Sequence, residues 1–195
     1  MPLQNRVHPD GTLCAVPERG TLMGNRGGRI HTDDRTLGTA RWRSRQWISC
    51  VLAFKNRQRE VMGPYYTELF FLDEVTALAA GHRPCFECRR AAAVDFATRF
   101  PGDGRSRAPE MDRILHAARL GPKERARLTD QPFGTLGTDG AQVYAHHPAG
   151  PLAWSFNGYT PVRTPDTLTI LTPEPIRAAL SAGYAPQWHP SAPGS

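Results

Sequence analysis

The sequence contains no long apolar run, few cysteines and almost no lysine. No stretch approaches the roughly 18 to 20 apolar residues that cross a membrane, and the first residues lack the apolar core of a signal peptide. We therefore expect a cytoplasmic protein without a membrane partner. Four cysteines in a chain without a leader do not indicate a disulfide framework, which favours reduced thiols, some of them holding a metal. The 18 glycines and 18 prolines exclude a helical bundle and a coiled coil.

Positive charge is concentrated in the first third of the chain. The formal net charge is +6, and residues 1–65 alone contain 11 basic and 5 acidic residues. Only Lys55 and Lys123 of the 24 basic residues are lysines. A high-GC genome accounts for much of this arginine excess, but not for its clustering. Because the planar guanidinium matches phosphate, the clustering predicts an anionic partner, with nucleic acid, and DNA in particular, as the first choice.

Short strands are predicted in both halves of the chain. Residues 47–54 form an apolar, β-branched run, and residues 65–72 form a second strand candidate, with a polar turn over 55–59 after the first. Towards the C-terminus, three short segments also have the composition of β-strands: 141–145, 152–156 and 167–171. We therefore predict short antiparallel strands and a β-rich C-terminal part.

Helices are predicted between these strand regions. Asp73 has the character of an N-cap for a helix through Ala80, and Gly81 is its expected stop. Further helices are predicted over 87–100, 110–120 and 175–182, with a loop over 101–109. The fold class is therefore α+β, small and loop-rich. We divide it into a basic β/α part, residues 1–125, and a β-rich part, residues 126–195, which belong to one domain or two.

The strongest chemical motif is Cys85-Phe86-Glu87-Cys88. Two cysteines three residues apart, on a turn that enters a helix, place both sulfurs on one side, as in half of a zinc knuckle. Two unrelated small residues at a helix start, or a redox pair, are the alternatives, although a thioredoxin-like βαβ context is not evident. The motif therefore predicts a Zn²⁺ site with Cys85 and Cys88 as ligands.

The sequence does not identify the third and fourth ligands of this zinc site. The candidates are two upstream cysteines and five histidines: Cys14, Cys50, His31, His82, His146, His147 and His189. We favour Cys50 as the third ligand, with a buried packing thiol as its alternative. Residues 77–88 and 179–189 share a helix end, a Gly stop, an aromatic ring and a Pro. This similarity makes His189 our choice for the fourth ligand.

Residues 70–89, FFLDEVTALAAGHRPCFECR, resemble the second half of the zinc-binding domain of the Ada-type DNA methylphosphotriester repair proteins. The similar segment covers about 20 of the 195 residues, and the Ada-like motif extends over 70–100. The resemblance implies that Cys85 and Cys88 bind zinc and that Arg83 and Arg89 lie near a phosphate backbone. It also implies a link to DNA repair or processing.

The chain departs from this family in its upstream cysteines. The family has a closely spaced first pair that includes the methyl-accepting cysteine, whereas here only the separate Cys14 and Cys50 precede Cys85. Methyl transfer is therefore not expected. Segments elsewhere in the chain, among them MGNRGGR and WSFNGYTP, resemble those of a set of bacterial proteins.

Two basic segments complete the candidate nucleic-acid interface. MGNRGGR places glycines beside Arg26 and Arg29, which suits a phosphate-cradling turn or an ordinary tight turn. In residues 41–47, Arg41, Arg43 and Arg45 alternate with Trp42 and other residues. Such interleaving suits phosphate contacts with base stacking, or a strand with its Trp side chains inside.

The leading hypothesis is a zinc-binding protein that binds nucleic acid. An enzyme acting on nucleic acid or a nucleotide, hydrolase-like or nuclease-like, with the Gly/Arg-rich turn holding phosphate, is the alternative. A non-catalytic interaction module is a third interpretation. The known hydrolase, metalloprotease, kinase and deaminase motifs are absent from the sequence, so no catalytic residue is predicted.

Overall fold

The computed structural model describes residues 1–56, 60–102 and 107–194. Within these ranges the chain is a mixed α/β protein with four α-helices and two sheets of six strands each. The α+β class predicted from the sequence is confirmed at this level. Helices of these ranges are all too short or too polar to cross a membrane. The predicted turn over 55–59 and the predicted loop over 101–109 lie partly outside the described residues.

The first sheet is built from short strands of the N-terminal half, in the spatial order β2-β1-β5-β3-β4-β6. Its strands are β1 (Arg6–Val7), β2 (Leu13–Cys14), β3 (Leu22–Asn25), β4 (Ile48–Val51), β5 (Leu69–Phe71) and β6 (Arg83–Pro84). Most pairs are antiparallel, but β1 pairs with β5 and β4 pairs with β6 in parallel. The strands predicted over 47–54 and 65–72 exist as the shorter β4 and β5.

The second sheet is antiparallel throughout and has the order β11-β10-β9-β8-β12-β7. Its strands are β7 (Arg125–Ala126), β8 (Leu136–Thr138), β9 (Val143–His147), β10 (Gly150–Ser155), β11 (Gly158–Pro161) and β12 (Leu168–Ile170). The three predicted C-terminal strand pieces overlap β9, β10 and β12. Alternating burial along β10, with Leu152 and Trp154 inside, shows why this face packs against the rest of the chain.

The helices are α1 (Glu74–Ala79), α2 (Arg90–Arg99), α3 (Ala108–Leu120) and α4 (Glu174–Ser181). The predicted N-cap of α1 is confirmed, because Asp73 accepts a hydrogen bond from the backbone N–H of Thr76 at 2.8 Å. Gly81 and Gly183 follow α1 and α4 with φ of 81° and 96°, the left-handed conformation that glycine adopts at low cost.

The Cys85–Cys88 segment is a turn, which corrects the prediction of a CxxC at a helix start. α2 begins at Arg90, three residues after the predicted Glu87. Parallel pairing with β4 keeps the chain extended through Pro84. The turn then closes through the N–H of Arg89, which donates to the carbonyl of Cys85 at 3.0 Å. The backbone N–H of Glu87 faces the Cys85 sulfur at 3.4 Å.

Helix α1 lies at the centre of the molecule, and all six of its residues are buried. Ala77 belongs to the apolar cluster of the first sheet, whereas Val75 and Ala79 pack with Leu136 and Trp154 of the second sheet. Residues 1–125 and 126–195 therefore share a core through α1. The division of the chain at this boundary stays a prediction.

Candidate metal centre

Strand register brings Cys50 and Cys85 together. In the parallel pair of β4 and β6, Ile48 lies opposite Arg83 and Ser49 lies opposite Pro84. The next backbone hydrogen bond runs from the N–H of Cys85 to the carbonyl of Ser49 at 3.0 Å. The following residue on β4 is Cys50, so its side chain lies beside the Cys85–Cys88 turn. Both Cys50 and Cys85 are buried, and Cys88 is partly buried.

The sulfur atoms of Cys50, Cys85 and Cys88 all lie within 4.8 Å of one another. Sulfurs around one tetrahedral zinc ion are about 3.8 Å apart, since each Zn–S bond is about 2.3 Å long. The observed limit is about 1 Å longer than this spacing. Among the described residues this is the one group of three or more His, Cys, Asp or Glu side chains close enough to hold a metal. Three cysteines from two separated segments thus fit a thiolate metal site.

Ionisation within the cluster is uneven. A hydrogen bond from Cys50, together with the backbone N–H groups of Glu87 and Cys88, lowers the pKa of Cys85 to about 5 against the opposing effect of burial. The hydrogen bond to Cys85, and then burial, raises the pKa of Cys50, and burial raises that of Cys88. Cys85 is therefore the cysteine of the three that loses its proton most readily. Binding of a metal ion would displace the protons that remain on the cluster.

His189 is not brought to the cysteines, which corrects the predicted fourth ligand. Its ring Nδ1 lies 2.9 Å from the hydroxyl of Ser191, and its backbone N–H donates to Asp73 at 3.0 Å. The two similar segments share only their helix ends, where the N–H groups of His82 and Tyr184 donate to Ala77 and Ala179. After its helix, the first segment enters β6, whereas the second segment forms no strand.

The remaining candidate ligands also have other neighbours. Cys14 lies on β2 outside the cysteine cluster. His31 hydrogen bonds Thr67, and His146 bonds the carbonyl of Gln131. His82 is buried beside Arg26. His147 accepts a hydrogen bond from the N–H of Ala149. Among the described residues no fourth His, Cys, Asp or Glu joins the cysteine group, so a tetrahedral metal held there would take its fourth ligand from outside the protein, such as water.

Three of the arginines predicted to bind phosphate are directed into the protein. Arg83 is 1% exposed and forms a two-pronged ion pair with Asp112, with both N–O distances 2.8 Å. The side chain of Arg89 is buried against Glu74 at 2.6 Å and Ser49 at 3.0 Å. Because these guanidiniums are paired inside the fold, Arg83 and Arg89 do not form a phosphate-binding surface. Arg26 is 2% exposed and lies behind the protein surface as well.

The other arginines lie at the surface. Arg29 is partly buried and pairs with Asp33, whereas Arg41, Arg43 and Arg45 are exposed. Residues 41–45, here called the arginine loop, lead into β4 and are not a strand, so the alternating-strand interpretation of this segment is wrong. Trp42 is 37% exposed, and Trp47 is buried.

The glycines of MGNRGGR serve a close approach within the chain. The backbone N–H groups of Arg43 and Ser44 both donate to the carbonyl of Arg26. A Cβ on Gly27, whose φ is 79°, would come within 1.8 Å of the Ser44 hydroxyl. These glycines thus seat the arginine loop on the end of β3, and binding of phosphate by their backbone stays a prediction.

Sequence reasoning missed two charged residues of α3. Asp112 is the partner of Arg83, and Arg119 lies beside Trp47, with its guanidinium carbon 4.4 Å from the ring centroid. Both lie on the face of α3 that carries the buried Leu115, at helical spacings of three and four residues. Charges on an apolar helix face indicate buried partners, and this signal was present in the sequence.

Comparison of the chain with models of protein families, with curated proteins and with solved structures found no match. The geometry of this chain is therefore the basis of the functional proposal.

Proposed function

We propose that the chain is a zinc-binding protein that contacts nucleic acid, with Cys50, Cys85 and Cys88 as its zinc ligands. The convergence of these three sulfurs within 4.8 Å carries the proposal. Thiolate ligands in a Cys-x-x-Cys turn suit zinc, which prefers a tetrahedral set. The zinc would be structural, since it would tie β4 to the turn before α2 across 35 residues of sequence.

The arginine loop supports the nucleic-acid part of the proposal. Arg43 and Arg45 are exposed, and in the described part of the chain their side chains form no ion pair with an acidic group. The partly exposed Trp42 lies between Arg41 and Arg43 and offers a surface for stacking on a base. The loop is joined through Gln46 and Trp47 to β4, the strand of Cys50, so a metal on Cys50 would also restrain the loop. The resemblance to a DNA-repair zinc domain agrees with such a partner.

Binding to DNA of random sequence should weaken steeply with salt, because each phosphate contact releases condensed counterions. We expect the double variant Arg43→Gln/Arg45→Gln to bind all sequences more weakly and to reduce the slope of log K against log salt by about one unit per lost contact. Fluorescence anisotropy over a salt series measures both quantities. The matched control is Arg113→Gln/Arg125→Gln, which removes two exposed arginines elsewhere and should leave the slope unchanged.

Replacing Trp42 with alanine should reduce binding of single-stranded DNA by about 1–3 kcal/mol through the loss of one stacking contact. Trp42 lies outside the buried apolar clusters, so we expect the variant to keep its melting temperature within a few degrees. Undetectable binding of DNA at low salt, or equal binding by the Arg43/Arg45 double variant and the wild type, would contradict the nucleic-acid proposal.

A further inference from the structure

A cavity of about 400 Å³ lies between the arginine loop and the C-terminal end of α3. Its volume is within the range of about 300–1,000 Å³ that is usual for small-molecule sites. The lining residues important here are Arg26, Arg41, Trp42, Trp47, Arg119 and Lys123. Four of these six carry positive charge, and two are tryptophans.

Among the described residues, Arg26 is a buried cation at this cavity with no carboxylate within hydrogen-bonding distance. Its guanidinium donates to the carbonyl of Gly11 at 2.7 Å and to Nε2 of His82 at 3.3 Å. The carbonyl carries no charge. The His82 ring is neutral as well, because burial and then the charges of Arg26 and Arg119 lower the pKa of His82 well below its usual value. A buried charge is normally paired with an opposite charge. Within the described part of the chain, only the charge of Asp10, which is not hydrogen bonded to it, acts in favour of the Arg26 cation, so its burial is only partly compensated.

Arg119 approaches the same place from α3. It donates to the carbonyls of Gly81 at 2.8 Å and Arg45 at 3.1 Å, and its Nη2 is buried without an acceptor in the described part of the chain. Its side chain packs directly on Gly81, where a Cβ would come within 2.7 Å of the Arg119 Cγ. The fold therefore holds this guanidinium in place and leaves one of its nitrogens unsatisfied.

The two guanidiniums meet at Trp47. The central carbon of Arg26 lies 4.0 Å from the ring centroid, and that of Arg119 lies 4.4 Å from it. Burial, chiefly, lowers the pKa of each arginine to about 9; the charges of Arg119 and Arg41 add to this effect at Arg26. Stacking on the indole offsets a part of the repulsion. A bound anion would remove the rest.

The cavity contains little negative charge of its own. Among the described residues that line it, Asp10 is the one acidic residue. The Asp10 carboxylate already binds His8 at 2.9 Å and the N–H of Thr12 at 2.8 Å. Lys123 and Arg41 add two more cations to the lining. The excess of positive charge suits a dianion better than a single carboxylate.

We propose that this cavity binds a phosphate monoester, with the phosphate at Arg26, Arg119 and Lys123 and its organic part against Trp42. A phosphate monoester carries a charge of about −1.5 to −2 at neutral pH and offers three acceptor oxygens. Guanidinium forks match those oxygens in pairs. The exposed flank of Trp42 and the 60% exposed Leu120 provide an apolar surface beside them.

The same chemical group occurs on a free nucleoside monophosphate and on the 5′ end of a nucleic-acid strand. The inference does not depend on the nucleic-acid proposal, since a free mononucleotide would be a sufficient ligand. The arginine loop and the cavity share Arg41 and Trp42, but the loop would contact the phosphodiester backbone, whereas the cavity would take a terminal phosphate. The two kinds of binding are distinguished by comparing ligands that differ only in the terminal phosphate.

The experiment is calorimetric titration of the full chain with AMP, adenosine, a 5′-phosphorylated decanucleotide, the same strand with a 5′-hydroxyl, and succinate. We expect the terminal phosphate to improve affinity at least about tenfold in at least one of the two pairs, and succinate to bind at least about tenfold more weakly than the better phosphate ligand. Preference within the AMP pair assigns the site to mononucleotides, and preference within the strand pair assigns it to strand ends.

Two variants connect this preference with the cavity. Lys123→Met should reduce the effect of the terminal phosphate by about threefold to tenfold, whereas Arg113→Met, an exposed arginine of α3 outside the lining, should not change it. Arg119→Lys keeps the charge and loses the fork, so it should also weaken the phosphate preference. Melting curves identify any variant that fails to fold. If Arg119→Lys does not fold, the phosphate preference of Lys123→Met decides whether the cavity is the binding site.

Equal binding of both members in both pairs would overturn the inference while leaving the nucleic-acid proposal intact, provided that the strands bind. Succinate binding as tightly as the better phosphate ligand would also overturn it. Tight binding of AMP with no binding of either strand would support the cavity and contradict the nucleic-acid proposal.

Discussion

Replacing Cys85 or Cys88 with serine should remove the metal and strongly destabilise the protein. A serine hydroxyl is a poor zinc ligand at neutral pH, and the binding free energy of a structural metal contributes directly to folding. We expect zinc to fall from about one per chain to near zero, with the free energy of unfolding lowered by about 4 kcal/mol or more. Elemental analysis of purified protein and urea unfolding measure the two effects.

Cys14→Ser is the matched control for these variants. It makes the same substitution at a partly exposed cysteine that lies outside the cluster. Zinc content and unfolding should remain close to those of the wild type. Cys50→Ser, in contrast, should behave like Cys85→Ser. Full zinc retention in the Cys50 variant would mean that Cys50 is only a packing thiol.

Removing Asp112 should destabilise the protein strongly. Asp112→Ala leaves the fully buried guanidinium of Arg83 without its carboxylate, and breaking such a pair costs about 3–5 kcal/mol. Asp95→Ala on α2 is the control, because it removes the exposed partner of Arg99 at a comparable distance of 2.7 Å and should cost no more than about 1 kcal/mol. Urea unfolding compares the two variants.

The double variant Arg83→Met/Asp112→Leu tests the role of Arg83 more directly. Replacing both charges with apolar side chains should restore most of the stability lost in Asp112→Ala, because no buried charge is left unpaired. The affinity for DNA should equal that of the wild type. If the double variant folds but binds DNA much more weakly, Arg83 contacts the phosphate backbone, as the family resemblance implies.

Local signals in the sequence predicted the helices well. The Asp73 cap, the stops at Gly81 and Gly183 and the apolar face of α3 depend on neighbouring residues alone. The same signals missed the start of α2 by three residues. Sulfur contacts and the pairing of β6 with β4 keep residues 85–88 out of the helix, and neither is visible in the local pattern.

The candidate site depends on pairing between residues that are distant in the sequence, which local sequence patterns do not predict. The strand pattern makes Cys50 a candidate ligand, but its place beside Cys85 follows from a parallel register that no local rule predicts. The similarity of helix ends that favours His189 does not determine the path of the chain after the helix. Arg83 and Arg89 belong to a motif that suggests phosphate, yet their partners Asp112 and Glu74 bind them inside the fold.

X-ray absorption spectroscopy at the zinc edge, with metal analysis of untagged protein purified without chelator, tests the central claim most directly. Cys50, Cys85 and Cys88 predict about one zinc per chain, with three sulfur ligands at about 2.3 Å and one nitrogen or oxygen ligand. Absence of stoichiometric metal, or a zinc shell with fewer than three sulfurs, would contradict the assignment of these three cysteines to one metal site.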